Sequence, residues 1–255
     1  MSPRAPSPGS VAGRPQATRR KTATRRARPY SGASTRTIRA HSTRDRILDA
    51  AEELFATRGY HGVSIRDITE AAGVQLALAN YHFGSKSGLY GQVVERRGKA
   101  HAAQMQNYLD NVLAEARGER PDPERIIWAF CASIFERLIN GGPGWRRYIR
   151  LLALTAESQQ REAYVKPMNK LLDPVRNAYL RALRQSYPDA APVDLHAAFY
   201  FMESGLVYTN AATGGVDRVS RGALRSTDFK RLLPRLVRYA TAGFDSLAAG
   251  PPTSE

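Results

Sequence analysis

An all-α chain in two parts is what the 255-residue sequence predicts, and three observations predict it. Apolar residues recur at helical spacing through most segments after residue 42, and no run of useful length alternates with the two-residue period of a strand. Two short helical patterns, residues 64–71 and 75–82, flank the turn Ala72-Gly73-Val74, which is the layout of a helix-turn-helix. Helices this short are marginal alone, and the sequence offers a longer helix on each side to support them. The expected architecture is an N-terminal three-helix head (residues 41–88) and a C-terminal helical body (residues 89–250), preceded by a tail (residues 1–40).

The tail is the most charged part of the chain. The net charge is +15, and within residues 1–42, which hold no acidic residue, Arg4, Arg14, Arg19, Arg20, Lys21, Arg25, Arg26, Arg28, Arg36 and Arg39 carry ten of those charges. Few large apolar side chains accompany them, so the tail is expected to be disordered. A basic arm of this composition reads as a nucleic-acid tether, each arginine releasing counterions where it neutralises a phosphate.

The head begins with a helix over residues 43–58, with Ile47, Ala51, Leu54 and Phe55 on one face, Thr43 as its expected cap and Gly59 as its stop. Ser64 caps the next helix, and Asp67 three residues on completes a capping box. Gly73 supplies the break. The second short helix then presents Gln75, Leu76, Ala77, Leu78 and Asn80 near its start, the end that reaches base edges when such a helix enters the major groove. Gln75 and Asn80 suit bidentate bonds to adenine, and Leu76, Ala77 and Leu78 suit thymine methyl groups. Arg66 suits a phosphate or a guanine.

A long helix is expected from Ser87 to about Ala116, broken by Gly118–Pro123. Asp122 and Pro123 start the next, lined by Ile126, Ile127, Phe130, Ile134, Phe135 and Leu138. Gly141–Gly144 reads as a turn or mobile loop, followed by helices over residues 148–156, 167–187, 192–212 and 228–248. The last two have wide apolar faces.

Composition narrows the function classes. The chain is 42% hydrophobic, and no apolar run approaches the roughly 18 residues a membrane span needs. Cys131 is the sole cysteine, so an internal disulfide is impossible, and a reducing cytoplasm is the expected location. His41, His61, His82, His101 and His196 are scattered, metal-ligand spacings are missing, and there is no nucleophile elbow or Gly-rich phosphate loop. No catalytic residue, metal or cofactor is expected.

The stretch Ile47–Tyr60, followed by Ser64–Ile68, Ala72–Val74, Asn80–Lys86 and Gly88–Tyr90, resembles the DNA-binding domain of TetR-family transcriptional regulators. Arg150–Thr155, Tyr179–Leu183, Tyr187–Leu195 and Phe199–Gly205 are similar to a branch that includes fatty-acid-responsive repressors. The resemblance places Tyr81, His82 and Lys86 at backbone-contacting positions. The candidate DNA-binding set is then Ser64, Arg66, Gln75, Leu76, Ala77, Leu78, Asn80, Tyr81, His82 and Lys86. Where many members have Lys or Gln this chain has Leu76, and Asn80 stands where many have Tyr, so base preference does not carry over. The resemblance also implies a homodimer built by the last two long helices on a palindromic operator, and an apolar effector cavity in the body. Candidate lining residues are Trp128, Phe130, Cys131, Phe135, Tyr148, Leu152, Tyr179, Phe199, Met202 and Glu203. The implied effector is a fatty acid or acyl thioester, with Arg147 and Arg150 as carboxylate holders or as a solvated helix face. The partners expected are double-stranded DNA, a second copy of the chain and a small apolar effector. The alternative is an architectural DNA binder without sequence preference, dominated by the tail.

Overall fold

The computed structural model describes residues 42–156, 158, 162–212 and 214–250, so the basic tail lies outside the described residues. Those residues form helices and no strand. The helices are α1 (Thr43–Arg58), α2 (Ile65–Ala71), α3 (Leu76–Phe83), α4 (Lys86–Glu115), α5 (Pro123–Asn140), α6 (Gly142–Ala156), α7 (Lys166–Ser186), α8 (Pro192–Asn210), α9 (Gly215–Val219) and α10 (Phe229–Ala248).

The head closes over one small core. Ile47, Ala51 and Phe55 of α1 are fully buried with Ile68 of α2, and Ala79 and Phe83 of α3 complete the set. Ser42, not Thr43, caps α1: its hydroxyl accepts from the Asp45 amide at 3.1 Å. Two hydroxyl residues stand side by side there, and the one a full turn before Arg46 wins, because its carbonyl already accepts from that amide.

Helix α4 joins head to body. At about 1.5 Å per residue its 30 residues reach roughly 45 Å. Leu89 and Tyr90 belong to the head core, while His101, Met105, Leu109 and Val112 face α5 and α7. Gly98 permits the close crossing with α7, since a Cβ there would stand 2.7 Å from Leu171 Cδ1.

Two details depart from the sequence expectation. Gly141–Gly144 is not a free turn: Gly141 ends α5 and α6 already starts at Gly142, with Pro143 in its first turn, where a missing amide proton costs nothing. Helix α9 was not anticipated, because five residues carry too little periodicity to register.

Charge ties the head to the body. Glu52 lies on the buried side of α1, 3% exposed, with Arg96 Nη1 at 3.5 Å, Arg97 Nη2 at 3.5 Å and Arg147 Nη1 at 3.7 Å. Arg150 of α6 donates its Nε to the Ala56 carbonyl in the last turn of α1, at 3.0 Å. Arg147 and Arg150, the two expected carboxylate holders, therefore each reach the head. No helix among the described residues is long and apolar enough to cross a membrane.

Candidate nucleic-acid interface

The geometry of α2 and α3 follows from three local devices. The Ser64 hydroxyl accepts from the Asp67 amide at 3.1 Å, and Asp67 Oδ2 accepts from the Ser64 amide at 2.7 Å. These bonds to Ser64 hold the Asp67 carboxyl below its usual range. Gly73 then takes a φ of 62°, which lets the Val74 amide return to the Thr69 carbonyl at 2.9 Å and turns the chain sharply into α3. Gln75 is the N-cap of α3 with extended backbone, and no side chain caps that helix. Its amide group is left for another partner.

Helix α3 has one inward and one outward side. Ala79 and Phe83 are buried against the head core. Gln75, Leu76, Ala77, Leu78, Asn80 and Tyr81 are all exposed, Tyr81 by 84%. Leu76 and Leu78, near two-fifths exposed, are large apolar side chains that a folded head leaves in water. Ser64 and Arg66 are exposed at the start of α2. His82 is half-buried, its ring edge-on to Tyr81 at 5.2 Å between centroids.

Lys86, the first residue of α4, is also half-buried. Its Nζ stands 4.3 Å from the centroid of the Tyr60 ring, and that ring stacks on Tyr164 at 3.8 Å. Desolvation lowers the Lys86 pKa, with Asp67 opposing the shift. The ammonium is thus aimed by a cation–π contact rather than left to wander. The structure brings the ten sequence-derived residues together along α2, α3 and the first turn of α4.

The body residues expected around an effector behave differently. Cys131, Phe135, Tyr148, Tyr179, Phe199 and Met202 are all buried. Phe130 contacts both Tyr179 and Phe199 edge-to-face, each at 5.1 Å. Burial pushes the Cys131 thiol up to about 12, which makes it an inert core residue. Leu152 is half-buried. Trp128 does not join the cluster: it is 45% exposed and lines an outer cleft with Tyr108 and Arg125. Its place among the apolar residues of α5 suggested an inward position, but it lies on the side of that helix facing solvent. A polar set that the sequence did not reveal sits beside the cluster. His101 is 1% exposed, with Nδ1 3.2 Å from the Tyr148 hydroxyl and Nε2 3.4 Å from Ser133 Oγ. Desolvation first, then the Arg137 and Arg176 charges, lowers its pKa to about 3.

Glu52 was also missed. Its signal was in the sequence: it falls on the same helical face as Leu48 and Phe55, an acid inside an apolar stripe.

Known proteins resemble this chain in sequence and in fold. A family model of tetracyclin repressor-like C-terminal domains matches residues 128–243. A second, of bacterial regulatory proteins of the tetR family, matches residues 47–93. The HTH-type transcriptional repressor AcnR of Corynebacterium glutamicum is 35% identical over 88 residues, 34% of this chain and 45% of AcnR. The AcnR of Corynebacterium diphtheriae is 27% identical over 181 residues, 70% of this chain and 86% of that protein. The match spans about half the length, or less, of the curated relatives it meets first. The crystal structure of HlyIIR, a hemolysin II transcriptional regulator, superposes with a TM-score of 0.53 at 18% identity, covering 77% of this chain and 96% of HlyIIR, a likeness of fold. With a helix-turn-helix head that matches one family model and a helical body that matches the other, the chain belongs to the TetR family of bacterial transcription regulators.

Proposed function

We propose that the protein is a ligand-released repressor that binds a palindromic operator as a homodimer. The observation that carries this reading is the outward side of α3, where Gln75 and Asn80 stand exposed beside Leu76 and Leu78. Amide groups and short apolar side chains at the start of a recognition helix are the chemistry that reads adenine and thymine edges. Ser64, Arg66, Tyr81, His82 and Lys86 then position the head on phosphates.

The homodimer is supported by α8 and α10. Tyr200, Phe201 and Tyr208 on α8 and Tyr239 on α10 are each at least 59% exposed. Exposed aromatic side chains on these two packed helices favour a protein partner, and an isologous pair of heads suits a palindrome. The repressor sense follows the AcnR proteins, which carry that word in their names. The effector is a fatty acid or acyl thioester, or another small apolar molecule, admitted among Cys131, Phe135, Tyr148, Tyr179, Phe199 and Met202. Such a regulator works in the cytoplasm, where it meets chromosomal DNA, and needs no catalytic residue.

Selection of bound genomic fragments at one fixed salt concentration tests the reading, using the full chain and a shorter form starting at Ser42. Recovery of one short palindrome by both supports it. Binding by the full chain alone, without sequence preference, replaces it with the tail-dominated architectural binder.

A further inference from the structure

A cleft of about 530 Å³ opens between α5, α6, α8 and α10, outside the buried cluster assigned to the effector above. We propose that this cleft binds an amphiphilic carboxylate carrying a hydrogen-bond donor close to its carboxyl group, and that Arg150 passes its occupancy to the head.

Its charge is one-sided. Arg146, Arg150 and Lys230 line it, and none of the three has an ion-pair partner among the described residues. Asp228 is the acid on the wall, and it is already engaged: it accepts from the Arg231 amide at 3.3 Å and pairs with Arg231 Nε at 3.7 Å. Three cations against one committed carboxylate favour an anion. The cleft also holds an unmet acceptor. Asn210 is 9% exposed, and its buried Oδ1 has no hydrogen-bond partner. Such an atom is costly unless something donates to it. A hydroxyl or amide proton on the ligand would do so once the Asn210 side chain turns to face the cleft. Leu138 and Phe229 supply an apolar wall for the remainder of the molecule, and the volume is in the range of small-ligand sites.

The coupling arises because Arg150 faces two ways. Its Nε holds the Ala56 carbonyl in the last turn of α1 at 3.0 Å, while the same side chain lines the cleft. A carboxylate drawn to its terminal nitrogens pulls on the guanidinium that anchors α1. The binding half of this inference stands on the cleft alone, and the coupling half rests on the repressor reading.

Isothermal titration of the full chain tests binding, with 3-hydroxydecanoate, decanoate and decane-1,3-diol as probes. The hydroxy acid is expected to bind saturably at this cleft, whatever fatty acid the buried cluster also admits. The neutral diol, Arg146→Met and Lys230→Met are each expected to weaken binding by about tenfold, as loss of a charge-assisted contact does. Asn210→Leu is expected to remove the preference for the hydroxy acid over decanoate. No hydrogen bond or ion pair joins Arg146 to the head among the described residues, so its replacement leaves the Arg150–Ala56 bond in place. No saturable binding, a diol that binds as well as the acid, or unchanged affinity in the Arg146→Met, Lys230→Met double variant overturns the proposal. For the coupling, the hydroxy acid is added to protein bound to its selected DNA fragment. Wild-type protein is expected to release the DNA, whereas Arg150→Lys, which keeps the charge but loses the Nε contact, is expected to bind the acid and retain DNA. Equal release by both overturns the coupling. Absence of any selected fragment defeats the repressor reading and leaves the titration standing.

Discussion

The outer side of α3 and the outer sides of α8 and α10 both hold large apolar residues in water, yet they suit different partners. On α3, Leu76, Leu78 and Tyr81 are interleaved with Gln75 and Asn80 and lie near Arg66 and Lys86. On α8 and α10, Tyr200, Phe201, Tyr208 and Tyr239 form a set dominated by aromatic rings. Exposed apolar area alone does not name its partner. The groups beside it do: amides and cations fit the edges and phosphates of DNA, and rings fit another protein surface.

Breaking the aromatic face should have the largest effect. Phe201→Glu with Tyr208→Glu would bury charge in a dimer formed through α8 and is expected to leave a monomer in sedimentation velocity. Operator affinity should drop by about a hundredfold or more as the second head is lost. Next in size, Gln75→Ala and Asn80→Ala should each weaken specific binding by about 1–3 kcal/mol. Affinity for unrelated DNA should be unchanged, and loss on both kinds of DNA would move these residues out of the reading face.

Acid should separate the two regions, because the body core holds a buried neutral histidine. The His101 pKa is lowered to about 3 when folded, against about 6.5 for a free histidine. The unfolded chain therefore takes up a proton that the folded chain refuses. The stability that neutral His101 contributes is complete above about pH 6.5 and is lost as pH falls from there toward 3. Thermal melts across that range should show the loss in wild type and a flatter profile in His101→Gln. Hydrogen exchange should register it in α4, α5 and α6 before α1–α3.

The smallest effect is expected at Lys86. If Lys86 holds a phosphate as proposed, Lys86→Met should lower the slope of log affinity against log salt by about one while sequence preference stays. A change in preference would show instead that the Tyr60–Lys86 contact sets the angle of α3.

The head was the more legible region. A capping box, a turn glycine and a two-turn helix are local devices, and Ser64, Asp67 and Gly73 act where the residue spacing put them. The body was legible as helices but not in its contacts. Trp128 shares a helix with Phe130 and Phe135, and only the packing of α4 and α5 shows that it faces outward. Glu52 with its arginines and Arg150 with Ala56 join residues between 44 and 95 positions apart, beyond any local pattern. Thr43 and Ser42 show the opposite limit, where a one-residue choice depends on where the first turn of α1 begins.

Gln75 leaves the first amides of α3 without a side-chain cap. A helix of eight residues with an open end frays, so in the free protein α3 should be the least protected helix of the head toward solvent exchange. On the proposed reading, an acceptor on a base edge arriving at that end would supply what the sequence omits. Recognition and the completion of the helix are then one event, and part of the binding energy is spent on order. Gln75→Ser would supply the cap in advance, slowing exchange in the free head while giving up an amide that reads bases.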